Sequence, residues 1–372
     1  MKVDIITMHC PLNYGAVLQA YALQTYIHHL GHEVDIIDYR PYYIVYDQSL
    51  LFVANKRFNK SIILKLIYLL VKAPSKQKKI RIFKKFCNRY LSLSEKKYTD
   101  YKELTNTHPL ADCYICGSDQ IWGYSNNAYR DPAYFLGFVN QDTLKCSYAP
   151  SGMFPNPLPA EMKHQILPFI NRLDFVSVRE DSTRNLLQPY IKQKISTVVD
   201  PVFLLKKEEW ISFSELEKAV VPSIDYILIY AVGDSSLALE VATKLSEETG
   251  LPIYCISSSQ KNLPNVSKKI MATPLGFLRL FKDAKYIVTN SFHGTAFSII
   301  FEKEFWTCST NIANNRLTSL LSIAGLKHRL LLNNANINIS NSKIDYSLTK
   351  SKIEKAVADS KEYLQSFLGN EK

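Results

Sequence analysis

The first forty residues constrain the fold most. "VDIITM" (3–8) has the character of a buried strand, and Ala16, Ala20, Leu23, Ile27 and Leu30 then recur at helical spacing. Gly31 ends that helix, and "EVDIIDY" (33–39) returns as a second strand. This is a βαβ unit, which demands parallel pairing and a right-handed crossover. The intervening turn, "LNYG", sets Asn13, Tyr14 and Gly15 at a helix N-terminus, where backbone N–H groups favour an anion.

The same design continues along the chain. "ADCYICGSDQIW" (111–122) reads as a strand running into Gly117, Ser118, Asp119 and Gln120, and "KCSYAPSG" (145–152) repeats it. "DFVSVRED" (174–181) is a strand ending at Arg179, and "ISTVVDP" (195–201) ends at Asp200 and Pro201. After "LLKKEEWISFSELEKAVVPS" (204–223), read as a linker, "DYILIYAVGD" opens a second alternating series, and a helix from Ser347 to about Leu368 closes it. Strand–helix alternation in both halves predicts an α/β fold of two Rossmann-like, doubly wound domains facing across a cleft. The expected division is 1–205, carrying a basic helical insertion over 55–94, and 206–372, with the last helix a candidate to pack back on the first domain. Ligands of such sheets bind beyond the carboxyl ends of strands, where these polar residues cluster.

A chain of 372 residues is long enough for two cores. Seven cysteines without regular spacing argue against a disulfide framework and for a reducing compartment. "MKVDIITMHC" has neither a signal-peptide apolar core nor a cleavage site, and no run reaches the ~18–20 apolar residues of a membrane span. A cytoplasmic protein is expected.

The net charge of +11 is concentrated: Asn55 to Ser94 holds twelve Lys and Arg, from Lys56 to Arg89, and no acidic residue. Apolar residues interleave them at roughly helical spacing. Either one or two amphipathic helices pack on a domain, or the segment 56–89 meets an anionic membrane face or a lipid-linked substrate. No recognition motif accompanies the charge, so nucleic acid is not the expected partner.

Cys113 and Cys116 have C-x-x-C spacing but fall inside a strand, on opposite faces, so no zinc site is expected. Asp119 and Gln120 are either local turn chemistry or contacts for an acceptor hydroxyl. Arg179 is either a partner of Glu180 or Asp181, or a planar guanidinium for a carboxylate or phosphate. "TNSFHGTAF" (289–297) places Ser291, His293 and Gly294 in a turn before a helix read as starting near Thr295. There Gly294 would admit a ligand to the backbone, and an imidazole that titrates near neutrality suits acid–base work.

Taken in order, "NYGAVLQAYALQ" (13–24), "YICGSDQIW" (114–122), "SVRE" (177–180), "DPVFLL" (200–205), "TNSFHGTAFSIIF" (289–301) and "NNRLTSLL" (314–321) resemble the polysaccharide pyruvyl transferase family, from about residue 3 to about residue 330. The resemblance implies a GT-B-like fold and transfer of a pyruvyl group from phosphoenolpyruvate to a sugar, usually as a ketal across two hydroxyls. It also implies that His293 and Arg179 are donor-site residues. From the chemistry of that transfer, His293 is expected to be the general acid, Arg179 the contact for the donor's carboxylate or phosphate, and Arg316 a second cationic contact. No metal and no cofactor beyond the donor substrate is expected. The acceptor, free or lipid-linked, does not follow from the variants in the first and middle motifs. The alternative is a GT-B glycosyltransferase with a nucleotide-sugar donor, although 225–301 offers no clear acidic residue for a ribose or base.

Overall fold

The structure, a computed structural model, describes residues 1–50, 52–53, 61–257, 263–309, 315–332 and 343–369. The chain divides into two compact units. Unit 1 comprises Met1–Arg179, Thr183–Thr197 and Gln365–Lys372; unit 2 comprises Glu180–Ser182 and Val198–Leu364.

Up to Thr197 the main elements are β1 (Lys2–Ile6), α1 (Tyr14–His29), β2 (Glu33–Tyr39), α2 (Tyr42–Val45), α3 (Ile62–Tyr90), β3 (Leu93–Tyr98), α4 (Tyr101–Thr107), β4 (Cys113–Cys116), β5 (Leu144–Ser147), α5 (Ala160–Ile170), β6 (Val176–Val178), α6 (Asp181–Leu187) and β7 (Ile195–Thr197). Five strands form a parallel sheet in the order β3-β2-β1-β4-β5. Val3 pairs with Val34 on one side and with Cys113 on the other. A bridge from Cys146 to Phe175 leads on to the β6–β7 pair, also parallel. Sheets of this kind are covered on both faces, so their strands are near-continuously apolar, as β1 and β4 are.

One residue breaks that rule. Asp4, in the central strand β1, is fully buried, and neither carboxylate oxygen has a hydrogen-bond partner among the described residues. Burial pushes its carboxyl up from an ordinary 3.8 to about 7, against the attraction of Lys2.

From Val198 the main elements are α7 (Lys207–Glu215), β8 (Ile227–Tyr230), α8 (Ser236–Thr249), β9 (Ile253–Ile256), β10 (Val266–Ile270), α9 (Pro274–Asp283), β11 (Tyr286–Thr289), α10 (Phe292–Ile300), β12 (Glu304–Ser309), α11 (Asn315–Ala324), β13 (Leu330–Leu332) and α12 (Tyr346–Leu368). The six strands order as β10-β9-β8-β11-β12-β13, all parallel. The fold class expected from the strand–helix alternation is therefore the one observed.

Two local expectations need correction. The supposed linker 204–223 contains α7, whose Trp210 is fully buried, donates from Nε1 to Val202 O at 2.9 Å and meets the Phe297 ring edge-on at 5.1 Å. The basic segment forms one continuous helix, α3, one of the arrangements expected, with Phe83, Phe86 and Cys87 its only buried side chains; residues 55–60 of the segment lie outside the described residues. Helix α10 starts at Phe292, three residues before Thr295, so His293 belongs to its first turn. All seven cysteines are buried free thiols, Cys113 and Cys116 within β4.

Candidate active site

In unit 1 the chain leaves β1 for β2 on one side and later returns to β4 on the other. The carboxyl ends of β1 and β4 therefore form a topological switch point, where doubly wound sheets bind ligands. Asn13 caps α1 there, its side-chain oxygen accepting from Ala16 N at 3.3 Å, and Tyr14 and Gly15 form the buried first turn.

The segment after β4 is held tightly. Thr7 Oγ1 donates to Ser118 O at 3.0 Å and accepts from Gln19 Nε2 at 2.9 Å. A Cβ on Gly117 would stand 3.0 Å from Thr7 Cβ, so this glycine answers a close approach of two strand ends. Ser118 is fully buried and its hydroxyl donates to Ala149 O at 3.1 Å. Asp119 and Gln120 are half-buried and follow directly. Asp119 sits at φ 69°, ψ −165°, a region almost reserved for glycine, and its carbonyl is pinned by Ser151 N at 2.8 Å. The strain at Asp119 is thus held beside the switch point between β1 and β4.

Arg179 is the first residue after β6. Its N–H donates to Pro150 O at 3.2 Å and its side chain is buried, so the guanidinium is held at a carboxyl strand end.

A third cluster in unit 1 joins the ends of β1 and β2. His9 Nε2 lies 2.8 Å from Asp38 Oδ1, which also accepts from Arg40 Nε at 2.5 Å. Burial alone would raise the Asp38 carboxyl, but the hydrogen bonds and charge attraction of His9 and Arg40 together outweigh it and hold the group below the usual carboxylate range. Sequence reasoning missed this trio. Its signal was available, since His9, Asp38 and Arg40 all sit at or just past the carboxyl ends of the first two strands.

In unit 2 the corresponding switch point lies between β8 and β11. Asn290 staples the two loops: its Nδ2 donates to Val232 O at 3.0 Å and to Asp234 O at 2.6 Å, and Val232 N donates to its Oδ1 at 2.7 Å. Ser291 caps α10, accepting from Gly294 N at 3.4 Å. Gly294 also has a packing reason to be glycine. A Cβ there would clash with Thr289 Oγ1 and stand 3.0 Å from Thr289 Cβ, so the position serves helix–strand packing and its N–H is taken by the cap.

His293, in the first helical turn, is nearly buried, with Nε2 3.5 Å from Asp200 Oδ2. Asp200 is itself buried and anchored, its Oδ1 accepting from Val202 N at 3.2 Å. Among the described residues His293 Nε2 makes no hydrogen bond, so the Asp200 carboxylate faces the imidazole at ion-pair distance only. Arg316 is the second residue of α11 and half-buried. Among the described residues no cluster of three His, Cys, Asp or Glu could hold a metal ion.

Two parallel, doubly wound sheets with polar strand ends define a GT-B-like α/β protein. Among solved structures, UDP-N-acetylglucosamine 2-epimerase from Rickettsia bellii aligns with 99% of this chain and 97% of its own, at 10% identity and a TM-score of 0.51. The UDP-GlcNAc-bound 2-epimerase from Neisseria meningitidis aligns over 100% and 95% at 12% identity (TM-score 0.49). Escherichia coli heptosyltransferase with ADP aligns over 96% and 100% at 14% identity (TM-score 0.41). At such identities the likeness is one of fold alone. None of the curated proteins compared with this sequence matches it. The family model for polysaccharide pyruvyl transferases matches residues 13–311, and the chain belongs to that family. The matched span includes Arg179, Asp200 and His293; Arg316 lies beyond it.

Proposed function

We propose that the protein moves the enolpyruvyl group of phosphoenolpyruvate onto a sugar of a cell-surface or capsular polysaccharide precursor, closing a pyruvate ketal and releasing phosphate. The observation that carries this reading is the buried His293–Asp200 pair in the first turn of α10, inside the family-matched span.

The methylene carbon of the donor must gain a proton before its central carbon accepts an oxygen. In this reading His293 supplies that proton, and the double-bond electron pair becomes the new C–H bond. A sugar hydroxyl oxygen then bonds to the central carbon and gives up its proton, returning the imidazole to its charged form. The C–O bond to phosphate breaks, its electron pair leaving with phosphate, and a second hydroxyl closes the ketal. Of the two hydroxyl protons, one balances the new methyl group and the other leaves on phosphate. Asp200 holds the imidazolium in place. Arg179 offers its planar fork to the donor's carboxylate or phosphate, with Arg316 as a second cation. Guanidinium and helix-terminus charge stabilise the leaving phosphate without a metal or a cofactor.

The test is phosphate release from phosphoenolpyruvate in the presence of a panel of glycans. Wild-type turnover with at least one acceptor is expected, falling about 10²–10⁴-fold in His293→Ala, as for loss of an acid–base group. Near-normal turnover in His293→Ala or Arg179→Ala sinks that residue's role. Consumption of a nucleotide-sugar with no need for phosphoenolpyruvate sinks the whole reading in favour of a glycosyltransferase.

A further inference from the structure

Helix α3 carries two unlike halves on one exposed face. In its N-terminal turns Ile62, Ile63, Leu66, Ile67, Leu70 and Val71 are exposed, Ile62 by 80% and Leu70 by 76%. Following the same stripe at steps of three and four residues leads to Gln77, Lys78, Arg81 and Lys84, all exposed. No acidic residue occurs anywhere in the helix. The opposite side of its middle turns is accounted for, with Lys76 donating to Ser49 O at 2.6 Å and lying over the Phe52 ring. The exposed stripe is thus apolar for three turns and, after Pro74 and Gln77, basic.

We infer that α3 docks the protein on an anionic lipid bilayer, its apolar N-terminal turns entering one leaflet and its basic turns lying against the phosphates. The exposed apolar side chains from Ile62 to Val71 suit a helix lying in the interface, where such side chains reach below the headgroups while neighbouring lysines stay among them. That apolar stretch is too short to span, and among the described residues no helix is long and apolar enough to cross a membrane. Lys65, within the apolar turns, can lay its stem along the helix and keep its ammonium at the headgroups. Other partners satisfy only one half. A second copy of α3 in parallel sets basic turns against basic turns, and in antiparallel sets apolar turns against basic ones. A nucleic acid pairs with the lysines and leaves the apolar turns in water. A bilayer with anionic headgroups meets both halves in their order along the helix.

The test uses the full-length protein and co-sedimentation with phosphatidylcholine vesicles, with and without phosphatidylglycerol. Wild type should partition on the phosphatidylglycerol vesicles and little on phosphatidylcholine alone. The triple variant Lys78→Gln, Arg81→Gln, Lys84→Gln should lose on the order of a hundredfold in that preference. The triple variant Ile63→Ser, Ile67→Ser, Leu70→Ser alters only exposed side chains, and should partition at least about tenfold less with an unchanged circular dichroism spectrum. Wild type left in the supernatant, equal partition on both lipids, or an apolar variant binding like wild type overturns the inference. So does dimerisation that the apolar variant abolishes, or oligonucleotide binding, in the absence of vesicle partition. None of these readouts depends on the transfer reaction, so either reading can fail alone.

Discussion

Replacing Asp4 by Asn removes a buried charge without changing the shape of the side chain, and the consequence for stability can be worked out. The carboxyl titrates near 3.8 in the unfolded chain and at about 7 in the folded one. Because the folded pKa is raised, the folded state holds a proton that the unfolded state has released throughout that window. Stability from this group is therefore present at low pH and falls as pH rises, levelling off above about 7. Between pH 5 and pH 8 the loss comes to about 3 kcal/mol, from 1.36 kcal/mol per pKa unit and the fraction titrated at each end. Urea unfolding of wild type and Asp4→Asn at both pH values measures it. The variant should lack about 3 kcal/mol of the wild-type decline and should be the more stable protein at pH 8. The buried amide carries its own cost of about 1–3 kcal/mol, which is common to both pH values and cancels from the slope. An identical pH slope in the two proteins would refute the assignment of a raised, proton-holding Asp4.

Three further outcomes are expected. Asp200→Asn keeps the volume beside His293 but removes its charge, so phosphate release should fall by at least about tenfold while the unfolding midpoint moves little, whereas a purely structural Asp200 would do the reverse. Asp119→Gly relieves a backbone conformation costing about 1–3 kcal/mol, so the unfolding midpoint should rise while acceptor KM worsens; a lower midpoint shows that the conformation is not strained. Gly294→Ala drives a methyl into Thr289 and should destabilise by about 1–3 kcal/mol, with a smaller effect in a Thr289→Ala background, and additivity of the two would remove the packing explanation.

Both series of strands and helices were legible in the sequence because buried parallel strands are short apolar runs bounded by helices with caps. β10 was missed because it reads "VSKKI", with two lysines and a serine among five residues, as befits the edge of a sheet. α7 was taken for linker because acidic and basic residues crowd its first turn, and only packing reveals that Trp210 and Phe213 share the buried side. The start of α10 was misplaced for a related reason. Thr295 has the look of a cap, yet Ser291 performs that role, and Phe292 gives no sign of being helical. The consequence is chemical: His293 moves from a loop into a fixed helical turn, and Gly294 packs against Thr289. The partnership of His293 with Asp200 was not deduced, because the two lie 93 positions apart and only the fold of unit 2 brings them together. His9 and Asp38 are different: both stand at strand ends that the sequence shows, and only their direct contact depends on the fold.

The division of the chain into units has a consequence for how such a protein can be taken apart. Unit 1 claims Gln365–Lys372 from the far end of the sequence, with the Phe367 and Phe175 rings 5.1 Å apart within it, while α12 begins in unit 2. Neither unit is therefore a continuous stretch of gene. Recombination between relatives that exchanged one half at a single breakpoint would leave unit 1 with a tail evolved for another core. A functional chimera needs two breakpoints, one near Val198 and one near Gln365.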